Sequence, residues 1–587
     1  MVRRLPRSSA LAAALLLSVT VFALVANGRG QTHVSAQGNL PWVECGAPYQ
    51  CATLRVPLDY ANANSRTIEL ALVRTPARDP SKRVGSLLVN PGGPGASGVD
   101  FARSIATAFP VEIRDRFDIV GFDPRGVAGS TPLLCHDKIQ QLAASEPEPS
   151  NDDQWAEVTR ITRDFATLCG QRGGDMLAHL GSLDVVRDMD RIREAVGDEK
   201  LTYVGFSYGT LLGELYADRF PTRVRALVLD GPIDPGLTAD EATAQQAIGF
   251  ERAIDGFDAS CKQRSCPLSE GGKDAWSAIK DLVDQARTRP IPAPGLDRPA
   301  GPGEVLLGAF QALYRPFSWR ALERAVAEAR NGDASTFVRL ADAYLGRQSD
   351  GSYANQLEMN AAVNCLDYEY SRDLTHYRAL ADELVKVAPR IGRSMASGGL
   401  GCALWPVASQ PVDVTGATGA PPVLIVGTTN DPATPFEWAL AARKAIPSGV
   451  LLTHEGDGHT VYLSGVRCVD DVVNAYLLNG ATPQDGSICG NNADPPRAAP
   501  TVPAQAIVAT PTLPSDRNPS PNASTTSTPR APATGTGPAQ SVAPSPTPDT
   551  TMERGIETSI GLRLLAVAVL ATIVALIVVT RRRMMRF

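Results

Sequence analysis

Between an apolar run and a helical stretch, residues 203–210 read Tyr-Val-Gly-Phe-Ser-Tyr-Gly-Thr. A serine between two glycines at that junction predicts a nucleophile elbow. The glycines permit a sharp, strained strand-to-helix turn that holds the hydroxyl clear of the backbone. The alternative is an ordinary tight turn, because so short a motif also arises by chance. The flanking sequence has to decide.

The flanks alternate apolar runs with helical spacing. Val84–Val89 and Phe117–Phe122 read as buried strands, ending at Asn-Pro-Gly-Gly-Pro-Gly and Asp-Pro-Arg-Gly. Leu183–Val196 has helical periodicity and Gly197 closes it. Leu201–Val204 predicts the strand before the serine, Leu211–Phe220 the helix after it, and Val224–Leu229 the next strand. Such alternation implies a parallel sheet covered on both faces. It fails over 236–415, where amphipathic helices predominate, and resumes with strands at Val423–Val426 and Gly449–Thr453 and a helix at Val466–Leu477. The expectation is one α/β sheet domain interrupted by a helical insertion.

A serine hydroxyl attacks a carbonyl only when a base takes its proton and an acid orients that base. The chain has six histidines, and only His454 and His459 follow the final strand candidates. His454 belongs to the strand end, whereas His459 sits in the loop Gly-Asp-Gly-His-Thr, which makes it the candidate base. Asp431, after Val-Leu-Ile-Val-Gly-Thr-Thr-Asn at the carboxyl edge of a parallel strand, is the candidate acid. Asp230 competes from one strand earlier, and Asn-Asp-Pro is also a turn signal. Backbone N–H groups of Tyr208 and of Gly92 or Gly93, with Gly93 preferred, are the candidate oxyanion hole.

The ends read differently from the body. Arg3, Arg4 and Arg7 precede an apolar run from Ala10 to Ala26, the layout of a signal peptide. Residues 491–550 are rich in Pro, Ser, Thr and Ala and predict an extended stalk. Leu564–Thr580, with Ile560–Leu562, approaches the roughly 20 residues that cross a bilayer. Arg581–Arg583 follow, which predicts a cytoplasmic C-terminus and an outward-facing body anchored to the membrane. A net charge of −6 without a basic stripe argues against a nucleic-acid partner. The ten cysteines, all in the body and without a Cys-x-x-Cys pair, predict disulfides rather than a metal site. Pairing neighbours gives Cys45–Cys51, Cys135–Cys169, Cys261–Cys266, Cys365–Cys402 and Cys468–Cys489.

Together, Gly92-Gly93-Pro94-Gly95 after a strand, Asp123-Pro124-Arg125-Gly126, Gly205-Phe206-Ser207-Tyr208-Gly209-Thr210 and the Asp431 and His459 loops resemble the prolyl/tripeptidyl aminopeptidase family of α/β-hydrolases. The resemblance covers residues 40–490 or so, and is to the secreted tripeptidyl-aminopeptidase-like branch in particular. Prolyl aminopeptidases commonly carry His before Gly-Gly-Pro-Gly, whereas Asn90-Pro91 stands here, which speaks against a strict proline preference.

The resemblance implies an α/β-hydrolase fold with a large helical cap. It also implies an exported serine peptidase that needs no metal or cofactor and acts on peptides with a free N-terminus. Ser207 is then the nucleophile, His459 the base and Asp431 its orienting acid. Cap carboxylates would hold the substrate ammonium, with Asp367 and Glu369 as candidates, and Arg125 would support the loops beneath the site. The plan reads signal peptide 1–36, core 40–235, cap 236–415, core 416–490, stalk 491–558, transmembrane helix 560–580 and basic tail 581–587. An esterase or lipase acting on acyl substrates, and a non-catalytic surface binding protein, are the alternatives.

Overall fold

In the computed structural model, residues 40–272, 274–490 and 494–497 are described. The apolar runs become the parallel part of a ten-stranded sheet of order β1-β2-β3-β5-β4-β6-β7-β8-β9-β10. The strands are β1 (Val43–Glu44), β2 (Gln50–Pro57), β3 (Thr67–Thr75), β4 (Gly85–Asn90), β5 (Phe117–Phe122), β6 (Leu201–Phe206), β7 (Val224–Asp230), β8 (Val423–Asn430), β9 (Gly449–Asp457) and β10 (Ser487–Cys489). From β5 to β10 every neighbouring pair is parallel, and β1, β2 and β3 add an antiparallel edge.

Every residue of β4, β5 and β6 is buried, which is why these strands read as predominantly apolar runs. Side chains along them go alternately to two cores. Tyr203, Leu227 and Ile425 pack on one face with Leu211, Leu212 and Leu215. Val204, Val228 and Leu424 pack on the other with Val469, Val473 and Leu477. The β2–β3 hairpin escaped the sequence reading because Glu69 and Arg74 interrupt its apolar positions, giving the alternating burial of antiparallel strands with one solvated face.

Between β7 and β8 the described chain is helical apart from isolated bridges, and it has its own core around Phe257, Ile279, Leu282, Val305, Leu322 and Phe337. All five disulfides join the neighbours named above and leave no free cysteine. Arg497, in the predicted stalk, exchanges both backbone hydrogen bonds with Ile488 of β10 at 2.8 and 2.9 Å, and its guanidinium pairs with Glu455. The body therefore reaches past residue 491. Among the described residues no helix is long and apolar enough to cross a membrane. The predicted signal segment, transmembrane span and basic tail, and most of the stalk, lie outside the described residues.

Candidate active site

Ser207 alone makes the turn between β6 and the helix Tyr208–Arg219, with φ 55° and ψ −127°. A non-glycine residue adopts such a backbone only when its surroundings impose it. Its N–H donates to the Asp230 carbonyl at 2.9 Å, and its own carbonyl accepts from the Thr210 N–H at 2.8 Å and the Thr210 hydroxyl at 2.6 Å. The flanking glycines are steric requirements. A methyl group on Gly205 would lie 2.3 Å from the Gly209 carbonyl oxygen, and one on Gly209 would lie 2.9 Å from the Asn90 carbonyl oxygen.

The Asn90–Gly95 loop lies directly against this turn. A methyl on Gly92 would come within 2.4 Å of the Phe206 carbonyl oxygen and 3.0 Å of the Ser207 Cβ. The Gly92 N–H is already donated to Asn90 Oδ1 at 2.9 Å. Of the two loop candidates, Gly93 is the one that lines the cavity beside Ser207 and Tyr208. Tyr208 begins the helix, so its N–H has no carbonyl one turn earlier to bind.

His459 follows β9 and Asp431 follows β8. The imidazole Nδ1 lies 2.9 and 3.0 Å from the two Asp431 carboxylate oxygens. The Asp431 side chain is fully buried, and it also accepts from Ala433 N (2.9 Å), Thr434 N (2.8 Å), Thr434 Oγ1 (3.0 Å) and Thr460 N (3.2 Å). The turn-forming and histidine-orienting roles of Asn-Asp-Pro thus coexist in one carboxylate. With Nδ1 engaged, Nε2 is the nitrogen left for other chemistry. Gly231, at φ 68°, keeps the space open: a methyl there would lie 2.8 Å from Thr434 Oγ1 and 3.4 Å from His459 Cε1.

Asp230 touches the same loop differently. Its Oδ2 accepts from Val461 N at 2.9 Å and Tyr462 N at 2.8 Å, so it anchors the segment after the histidine while burial pushes its carboxyl up to about 6. His454 stays on β9, buried, with Nδ1 3.4 Å from Thr428 Oγ1. Arg125 is fully buried. Its Nε and Nη2 each donate to Asp188 at 2.7 Å, and its Nη1 binds the Leu58 and His179 carbonyls.

Ser207, Tyr208, Gly93, His459 and Asp367 line one cavity of about 510 Å³. Asp367 ends the helix Gln356–Asp367 and accepts from the Ser182 N–H at 2.9 Å and the Ser182 hydroxyl at 2.5 Å. The Tyr208 hydroxyl is 2.7 Å from the same Ser182 oxygen. Burial pushes the Asp367 carboxyl up to about 7. Glu369 is not brought there: two residues past the helix end, it is exposed and absent from the cavity lining.

The sequence reading missed how the helical insertion grips the histidine loop. The Tyr314 carbonyl accepts the His459 N–H at 2.8 Å, and its ring meets the imidazole edge-on at 5.5 Å. Arg315 Nη2 donates to Thr460 Oγ1 at 2.9 Å. No motif marks Tyr-Arg-Pro for such a role; only the fold reveals it.

Residues 388–489 match the family described as TAP-like protein. The serine protease Hip1 of Mycobacterium tuberculosis is 37% identical over 467 residues, 76% of this chain and 89% of that protein. Carboxylesterase B of the same organism is 36% identical, covering 75% and 86%. The tripeptidyl aminopeptidase of Streptomyces lividans is 31% identical, covering 78% and 88%. The chain belongs to the TAP-like family of α/β-hydrolases. The α/β fold expected from the sequence, a mostly parallel sheet flanked by helices, holds.

Proposed function

We propose that this chain is a serine exopeptidase that releases short units, tripeptides among them, from the free N-termini of peptides. One observation carries the reading: the strained Ser207 elbow, the His459 imidazole held from behind by Asp431, and the buried Asp367 carboxylate all line a single cavity. Relatives named as a serine protease and a tripeptidyl aminopeptidase support it.

In this mechanism the Ser207 hydroxyl attacks the scissile carbonyl while His459 Nε2 takes its proton, and Asp431 stabilises the imidazolium that forms. The Tyr208 and Gly93 N–H groups receive the developing oxyanion. The imidazolium then protonates the departing amine, and water, activated by the same base, hydrolyses the acyl-enzyme. Asp367 faces the substrate's ammonium. A charge-assisted contact there favours peptides whose first amine is free.

A fluorophosphonate probe should label the full-length protein and fail on Ser207→Ala, whose kcat on a tripeptidyl nitroanilide should fall by about 10⁴-fold or more. Blocking the substrate N-terminus should lower kcat/KM by at least tenfold; indifference to blocking would sink the exopeptidase assignment. The second reading, a carboxylesterase, is favoured by the relative of that name. Acyl esters turned over far faster than any peptide amide would decide for it. Surface anchoring belongs to the same proposal and rests on the apolar run Leu564–Thr580 with its arginine flank. Truncation after residue 558 should release the activity from membranes.

A further inference from the structure

A second cavity, of about 370 Å³, adjoins the first. Tyr344, Leu357, Asn360, Asn364 and Tyr370 line both. The two differ in chemistry. The Ser207 cavity is bordered by Gln246, Gln311, Gln356 and Asp367, whereas the second is walled by Leu142, Val158, Phe165, Leu306, Leu307 and Phe310. The one charged residue in that apolar lining, Glu146, is already paired with Arg287 at 2.8 Å.

The seam between them has a definite register. Asn360 Nδ2 donates to the Pro94 carbonyl at 3.4 Å, and Asn364 Nδ2 donates to Asn360 Oδ1 at 3.1 Å. Asn364 keeps a second N–H and a carbonyl oxygen for a ligand. Asn360, Asn364 and Asp367 follow at spacings of four and three on one helix and so share a face. The carboxylate and the mouth of the apolar chamber are therefore about one helical turn apart, close to the span of a single amino-acid residue.

We propose that this chamber is the pocket for the side chain of the substrate's N-terminal residue, and that it selects a large apolar one such as leucine or phenylalanine. The inference rests on the exopeptidase reading: the residue whose ammonium meets Asp367 presents its side chain past the two asparagine amides into the chamber. Water leaves apolar walls as the side chain enters, and that gain is available only to substrates long enough to reach in.

The test compares kcat/KM of the full-length protein on Leu-Ala-Ala- and Phe-Ala-Ala-nitroanilide with Ala-Ala-Ala-nitroanilide. The expected preference is at least about tenfold, the scale on which apolar pockets discriminate. Leu307→Trp and, independently, Ala361→Phe fill the chamber from half-buried wall positions and should each reduce that ratio below about threefold. Fluorophosphonate labelling confirms that each variant is folded. Nitroanilide cleavage with no N-terminal preference, or a preference that survives both variants, overturns the chamber assignment and leaves the peptidase reading standing. A labelled protein that cleaves no nitroanilide overturns both. Nitrophenyl octanoate favoured over nitrophenyl acetate, with Leu307→Trp abolishing the difference, gives the chamber to a fatty acyl chain instead.

Discussion

At Ser207 the backbone strain is held by neighbours that have no room to give. Replacing Gly205 with alanine would drive a methyl into the Gly209 carbonyl at 2.3 Å, between two rigid backbone segments. Gly205→Ala is expected to abolish fluorophosphonate labelling and to lower thermal stability, both measurable on one preparation. Glu214 presents the opposite case. It lies on the helix that begins beyond the serine, fully buried, and neither carboxyl oxygen is hydrogen-bonded. Burial pushes its carboxyl well above the usual carboxylate range. An unsatisfied buried polar group costs about 1–3 kcal/mol. Glu214→Met should raise stability to denaturant by about 1–2 kcal/mol, with kcat little changed.

At the scale of elements, the strands that enclose the site were legible because burial on both faces leaves them mostly apolar, with only scattered polar residues such as Asp118; β5 was read to the residue. The pairing of Asp431 with His459 was legible for a related reason, since parallel strands bring their loop residues together at carboxyl ends marked by glycine and proline. What failed was whatever depends on contacts between distant segments. Asp367 and Glu369 look equivalent in sequence, yet the helix end between them buries one and exposes the other. The grip of Tyr314 and Arg315 on the histidine loop left no periodic or compositional trace. That grip is testable. Arg315→Ala removes the bond to Thr460 while sparing the cavity lining, and loosening of the histidine loop should lower kcat about tenfold with KM within about twofold in steady-state assays.

For the molecule as a whole, buried carboxyls set an unusual pH response. Burial raises Asp367 from 3.8 and Glu358 from 4.5, each to about 7, and Asp230 from 3.8 to about 6. Each group binds its proton more tightly in the folded than in the unfolded chain. Their contribution to stability is therefore complete below about pH 4 and is lost as pH rises through 6 to 7. The Tm should fall by a few degrees between pH 5 and pH 8, and Asp367→Asn should flatten part of that fall. A Tm that climbs across this window would contradict the assignment of these groups.

The hydrogen bond from the His459 N–H to the Tyr314 carbonyl gives the roof a further meaning. On the proposed mechanism the general base hangs partly from the lid, so any swing that widens the doorway also unhooks the machinery. Such an enzyme idles whenever it stands ajar. Folded neighbours too bulky to let the door shut behind them would then be spared by an interlock, without any need for the pocket to recognise and reject them.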